Sequence, residues 1–337
     1  MRQSIALPIL DQSQVGEARR MAIAQASSLG FDESERSNVG IVVTELANNL
    51  LRHAKNGLLL LQGLEKHETL GLEILALDKG PGMGNISQCI KDGFSTAGTS
   101  GNGLGAVHRL SSFVEIYSLP GGGTALLCQL WANPNPLLEQ ESSTPITLGA
   151  ICTPKTGEEV SGDSWASVTN GDRNLLMVAD GLGHGPLAAK ASLEAVSVFL
   201  ANADRTPKEI LELLHKALRS TRGAVVAIAQ IDLVNQLVCF AGVGNIAGAI
   251  LSPQTNSNLV SYNGTVGHEV RKIHEFTYPW HPEGLLILHS DGLGTQWRLD
   301  RYRGLSQKHP SLIAGVLYRD FNRTRDDVTV LVARQTL

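Results

Sequence analysis

Basic charge, paired cysteines and long apolar runs are all scarce in this sequence, and each shortage removes a class of function. The formal net charge is −4, with no lysine- or arginine-rich block. The electrostatic footprint of a nucleic-acid binder is therefore missing, and no nucleic-acid partner is expected. No stretch approaches the roughly 18 apolar residues that cross a bilayer, so no membrane partner is expected either. The opening residues, Met1 to Leu10, carry one arginine and a short apolar run broken by Pro8. They are too short for a signal peptide and read as a first strand. Four cysteines, Cys89, Cys128, Cys152 and Cys239, lie far apart without a CxxC pair. That spacing excludes a disulfide framework and a thiolate metal site, and reduced core cysteines suit a cytoplasmic location. What is present is an ordinary apolar fraction, 42% of 337 residues, enough for two α/β domains with their own cores.

The sequence organises itself around aspartates at strand ends. The apolar run Leu175–Ala179 leads straight into Asp180-Gly181-Leu182-Gly183-His184-Gly185. The same grammar recurs at Leu286–Leu288, which leads into His289-Ser290-Asp291-Gly292, and inverted at Asp326-Asp327, which leads into Val328–Val332. Ser161-Gly162-Asp163 adds a turn-borne acid upstream. Carboxylates at strand ends beside bare glycine backbone suit a hard divalent cation, which takes carboxylate, carbonyl and water oxygens. His184 reads as a surface or supporting residue, and His289, in an apolar strand, as packed.

The first half has a different character. Two helices are predicted, over 11–29 and 32–55. On the second, Val39, Val42, Val43, Leu46 and Leu50 form the apolar stripe, and Glu45, Asn49 and His53 run beside it at four-residue spacing. Strands are predicted over 57–64 and 69–77, with His67 and Glu68 near their turn. The second strand ends in Asp78-Lys79-Gly80-Pro81-Gly82. A small-residue segment, Asp92 to Ser100, precedes Gly101-Asn102-Gly103-Leu104-Gly105, which opens a helix over 104–111. A glycine-rich loop entering a helix can cradle phosphate through free backbone N–H groups. Strands over 113–117 and 124–131, joined by Gly121-Gly122-Gly123, close this half.

Glu45-x3-Asn49-x3-His53, Asp78-x-Gly80-x-Gly82, Gly101-x-Gly103-x-Gly105 and Gly123-Thr124 occur in the order of the GHKL ATP-binding family, which residues 1–132 resemble. The branch is that of the RsbT-type serine kinases of anti-sigma and stress-signalling switches. The resemblance implies a Bergerat α/β sandwich binding ATP and Mg2+. Asn49 would hold Mg2+ and Asp78 would accept from the adenine amino group. Gly80 and Gly82 would admit the nucleotide, while Gly101, Gly103 and Gly105 would cradle its phosphates. Thr124 would support the adenine, Glu45 would be the catalytic base and His53 would be structural. No dimerising helix with a phosphoacceptor histidine is read ahead of these boxes, so a histidine kinase is not expected.

Asn133-Pro134-Asn135-Pro136 and Ser142-Ser143-Thr144-Pro145 bracket a polar linker, placed at 133–144. Beyond it, strands in hairpins surround a helical pair, the second helix opening with the capping box Thr206-Pro207-Lys208-Glu209. Residues 145–337 resemble the PPM serine/threonine phosphatases in their SpoIIE/RsbX-like branch. The boxes that carry this are Gly162-Asp163, Asp180-Gly181-x-Gly183-x-Gly185, Ser290-Asp291-Gly292 and Asp326-Asp327-x-Thr329, with Arg222–Ala227 and Gly244-Asn245-Ile246. The resemblance implies an α-β-β-α sandwich around two Mn2+ or Mg2+ ions. Asp180 would bridge them, Asp163 and the Gly181 carbonyl would serve one, and Asp291 and Asp326 the other. Asp326 and Asp327 could exchange roles in a shifted register.

Together the resemblances imply a bifunctional enzyme of a partner-switching pathway. One half would phosphorylate a serine or threonine on a STAS-domain antagonist or scaffold protein, and the other would hydrolyse such a phosphate. A sigma factor or downstream switch protein is a further expected partner. The competing reading is a phosphatase whose first half only senses ATP or sequesters a sigma factor or other partner. A cut in the linker is expected to separate the two activities.

Overall fold

A computed structural model describes residues 3–54, 56–66, 69–86, 103–133 and 145–336. Gly101, the segment Asp92–Ser100, the His67-Glu68 turn, Cys89 and most of the linker lie outside the described residues. The chain divides into two compact units, one of Ser4–Ser142 with Gln307–Arg319, the other of Met1–Gln3, Ser143–Ser306 and Asp320–Leu337. The boundary expected at 133–144 leaves 307–319 in the second domain; by packing, these residues group with the first.

The first unit runs β1 (Ile5–Ile9), α1 (Gln12–Ser28), α2 (Glu33–His53), β2 (Gly57–Lys66), β3 (Thr69–Asp78), α3 (Gly103–Leu110), β4 (Phe113–Ser118) and β5 (Thr124–Trp131). The strands form one antiparallel sheet in the order β1-β2-β3-β5-β4. Asp11 and Asp32 cap α1 and α2 with reciprocal capping boxes, worth about 1 kcal/mol each. The stripe Val39, Val42, Val43, Leu46 and Leu50 packs with Leu59, Leu61, Leu72, Ile74 and Cys128 from one sheet face. That packing turns the neighbouring strip, Glu45 and Asn49, to the margin of the core, where both are half-buried.

The second unit contains β6 (Ile146–Thr153), β7 (Asp163–Asn170), β8 (Arg173–Gly181), α4 (Pro186–Ala201), α5 (Pro207–Ala217), β9 (Ala224–Asp232), β10 (Leu237–Val243), β11 (Ala247–Leu251) and β12 (Asn256–Asn258). It continues with β13 (Gly264–Thr265), β14 (Glu269–Val270), β15 (Phe276–Pro279) and β16 (Leu285–His289). The chain ends with α6 (Pro310–Phe321), whose residues through Arg319 belong to the first unit, and β17 (Val328–Gln335). Two five-stranded antiparallel sheets result, ordered β15-β10-β9-β8-β7 and β12-β11-β16-β17-β6. Alternate residues of both, among them Cys152, Leu176, Val178, Phe240, Leu288 and Leu331, share one core, so the sheets stack face to face. The opposite face of the first sheet is covered by Phe199 of α4 and Ile210, Leu211 and Leu214 of α5. The protein is thus a mixed α/β molecule of antiparallel sheets and helices, as expected.

Cys128 and Cys152 are free and buried, and burial pushes both thiols up to about 12. Among the described residues no helix is long and apolar enough to cross a membrane.

Candidate functional site

In the second unit, strand register does most of the positioning. β7 and β8 pair antiparallel with Asp163 directly opposite Asp180, which places the two side chains on one face about 5 Å apart at Cβ. β16 and β17 pair with His289 opposite Val330, which brings the turn after β16, carrying Asp291, beside the residues before β17, Asp326 and Asp327. Two contacts fix this juncture: Ser290 N donates to Thr329 O at 3.0 Å, and Thr329 N to Ser290 Oγ at 2.9 Å. Gly181 is tight against the chain, since a Cβ there would collide with the Ala188 carbonyl.

The five acids share one field. Burial raises the Asp180 pKa, and the charges of Asp163, Asp291, Asp326 and Asp327 raise it further. Burial likewise raises Asp163, helped by Asp327 and Asp326. Asp291 is raised by burial and then by Asp326, against the opposing charge of Arg323. Such a cluster keeps its charges only with a cation among them. Among the described residues no three carboxylate, imidazole or thiol groups are already drawn around an ion-sized point. Both carboxylate oxygens of Asp163 and Oδ2 of Asp327 are buried without a hydrogen bond of good geometry, although the Ser290 and Thr329 hydroxyls lie near Asp163 and the Gly162 N–H near Asp327. Orphaned hard oxygens among like charges fit a divalent ion of the Mg2+ or Mn2+ type.

The neighbouring Asp326 and Asp327 differ. Asp327 is buried, and its Oδ1 accepts from Lys155 N at 2.8 Å. Asp326 is exposed and accepts from Asp327 N at 3.0 Å. Asp327 is thereby tied to the loop after β6, whereas Asp326 faces outward beside Asp291. His184 lies with Nδ1 2.6 Å from Glu158 Oε1 and is exposed. His289 is buried: Nδ1–H donates to Ser290 O at 2.8 Å and Nε2 accepts from Trp297 Nε1 at 3.1 Å. Both ring nitrogens are used by the neutral form, and burial lowers its pKa. Asn245, to which no site role is assigned from sequence, donates from Nδ2 to Asp291 Oδ2 at 2.7 Å. Its signals in the sequence were the Gly-Asn turn between β10 and β11 and its place in the Gly244-Asn245-Ile246 box.

In the first unit, α2 carries Glu45 and Asn49, and β3 delivers Asp78 at its end. Asp78 Oδ1 accepts from Gly80 N at 2.6 Å. Burial raises the Asp78 pKa; the N–H groups of Gly80 and Thr124 and the charges of Arg319 and His53 oppose it. Thr124 is buried, with Oγ1 2.9 Å from Ser118 Oγ. Gly82 has φ +72°, and a side chain there would run into the Leu119 carbonyl. The glycines of this box are thus required first by backbone packing inside the protein. A Cβ on Gly103 would stand 2.5 Å from Glu45 Oε2, so that glycine keeps the Glu45 carboxylate beside the start of α3. Gly105 is buried in α3.

Comparison with known proteins relates each half of the chain to a known family. The family described as histidine kinase-like ATPase domain matches residues 10–129, and that described as stage II sporulation protein E (SpoIIE) matches 170–336. The serine/threonine-protein kinase RsbT of Bacillus subtilis (strain 168) is 30% identical over 131 residues, which cover 39% of this chain and 98% of RsbT. The phosphoserine phosphatase RsbX of the same organism is 27% identical over 140 residues, 41% of this chain and 70% of RsbX. A solved structure described as a bacterial stressosome, a modular system adapted to control secondary messenger signalling, superposes with a TM-score of 0.54 at 28% identity. It covers 57% of this chain and 100% of its own. RsbX in complex with magnesium gives 0.53 at 22% identity, over 58% of this chain and 98% of its own, a likeness of fold. Asp163 precedes the SpoIIE match, and it is the strand register that brings it to Asp180.

Proposed function

Because the chain belongs to the RsbT family of kinase-like ATPases in its first part and to the SpoIIE branch of PPM phosphatases in its second, we propose that it is a two-way phosphoryl switch. One unit places phosphate on a serine or threonine of a STAS-type regulator, and the other removes it. The observation that carries the phosphatase half is the set of aspartates facing one another with unpaired buried oxygens. Asp180, Asp163, Asp291, Asp326 and the Gly181 carbonyl would hold two Mg2+ or Mn2+ ions, which when bound neutralise phosphoryl charge and make water nucleophilic at neutral pH. Around them, Asn245 fixes the Asp291 carboxylate and Lys155 N fixes Asp327. No cysteine or serine nucleophile is required, since in-line phosphoryl transfer rests on positioning and charge stabilisation.

In the kinase-like unit Asn49 would hold Mg2+ and Asp78 would accept from the adenine amino group. Gly101, Gly103 and Gly105 would line the phosphates, Gly80 and Gly82 the nucleotide edge, and Thr124 would support the adenine. Glu45 would take the hydroxyl proton as the substrate oxygen bonds to the γ-phosphorus and the bond to ADP breaks. Retention of Glu45 beside α3 supports transfer over binding alone.

Paired variants test the assignment on a purified STAS-domain antagonist. Glu45→Ala is expected to dephosphorylate the phosphoprotein while failing to make it, and Asp180→Asn to do the reverse. Loss of both activities in either variant contradicts two separate chemistries.

A further inference from the structure

The segment Gln307–Arg319 packs into the first unit although it lies far along the chain. His309 N donates to Glu115 Oε2 at 2.7 Å, and Ser311 Oγ to Glu73 Oε2 at 2.8 Å. A Cβ on Gly315 would stand 3.1 Å from Leu77 Cδ2. Glu73 and Leu77 lie on one face of β3 by strand alternation, opposite the face that α1 and α2 cover. The segment therefore follows β3 toward its end. There Arg319 Nη1 donates to the main-chain carbonyl of Asp78 at 2.9 Å, across 241 positions of sequence. The Asp78 residue is held from two directions, its carbonyl by Arg319 and its carboxylate by Gly80 N.

We infer that Arg319 is a positioning residue of the nucleotide site, fixing the Asp78 peptide so that its carboxylate is aimed at the adenine. The inference rests on the reading of this unit as an ATP site. A guanidinium on the carbonyl restricts rotation of the peptide after Asp78, which leads into the glycine box. The same cation lies near enough to favour ionised Asp78 against burial. The groups facing that carboxyl are the Gly80 N–H from its own loop, the Thr124 N–H from β5, His53 from α2 and Arg319 from α6. An ionised carboxylate is the better acceptor for the adenine amino group, so affinity falls on the acid side as Asp78 protonates.

The test uses the full chain, Mg2+ and ATP. Calorimetric affinity is measured across pH for wild type, Arg319→Ala, Arg319→Lys and Asp78→Asn, with melting temperatures alongside. Arg319→Ala is expected to weaken ATP binding about tenfold, the scale of one charge-assisted hydrogen bond. Its acid limb is expected to move to higher pH, Arg319→Lys to recover most of the affinity, and Asp78→Asn to show no such limb. Unchanged affinity and an unmoved limb in Arg319→Ala overturn the inference and leave the ATP site standing. A loss that lysine does not restore, with a lower melting temperature and an unmoved limb, makes Arg319 structural and overturns it too. If wild type itself fails to bind ATP, the site reading falls and takes this inference with it.

Discussion

At the scale of single residues, the acid cluster is held together by what it lacks. Asp180 opposes Asp163 in strand register and feels four other carboxylates. Asp180→Asn or Asp291→Asn should reduce phosphatase turnover by at least about a hundredfold, because charge neutralisation at the phosphoryl group is lost. In chelator the repulsion argument gives an opposite sign for stability. Asp180→Asn should melt above wild type, and added Mn2+ should raise the wild-type melting temperature but hardly that of the variant. Differential scanning fluorimetry with and without metal reads both effects. Asn245→Ala should weaken Mn2+ binding by about tenfold or more, as removal of a group orienting a ligand does, and calorimetric Mn2+ titration measures it. The aspartates were legible in the sequence because each sits where an apolar run begins or ends, Asp180 and Asp291 at a glycine turn after the run and Asp163, Asp326 and Asp327 ahead of it. Asn245 and Arg319 were not, because each acts on a partner that only the fold brings near: Asn245 on Asp291 and Arg319 on Asp78. The pair Asp326-Asp327 reads alike in sequence, and only the fold shows that Lys155 N holds Asp327 while Asp326 is exposed beside Asp291.

At the scale of elements, β3 is the informative strand. Seven consecutive residues, Gly71 to Leu77, are buried, so both of its faces are covered. The sequence pattern predicts a strand there over 69–77, within a residue of Thr69–Asp78, and the helices that cover one face. The cover on the other face comes from 307–319, and no local pattern links the two stretches. Glu73 sits in the middle of that second face, accepting from Gln129 and Ser311, and burial pushes its pKa up to about 7. An acid with a raised folded-state pKa keeps its proton in the folded state after the unfolded chain has lost it. Its contribution is fully present below the unfolded value and is lost as pH rises from about 4.5 through about 7. Glu73→Gln, which keeps an acceptor oxygen for both donors, should remove that slope. Relative to wild type it should gain up to roughly 3 kcal/mol between pH 5 and pH 8, the linkage value of the shift. Urea unfolding of both proteins at the two pH values gives the answer; parallel pH profiles would count against a buried, titrating Glu73.

At the scale of the whole molecule, the order of the boxes and the polar linker were readable, and with them the pairing of a kinase-like ATPase with a phosphatase. The composition of the linker suggested that a cut there would release two independent pieces. The compact units do not follow the cut, since a fragment ending at 135 lacks Gln307–Arg319. That fragment should expose Leu75 and Leu77, which are nearly fully buried in the intact chain, at about 1.5–3 kcal/mol per leucine. It is expected to unfold at lower denaturant than the intact unit, and a peptide spanning 307–321 should raise its midpoint. The central claim is that one chain writes and erases the same kind of mark. Mass spectrometry of a purified STAS-domain antagonist tests it most directly. The protein is incubated first with ATP and Mg2+, then, after nucleotide removal, with Mn2+. The account predicts one serine or threonine that gains a phosphate in the first step and loses it in the second. A partner that is never phosphorylated in the first step, yet loses pre-installed phosphate in the second, would contradict it and leave a phosphatase with a nucleotide-binding unit.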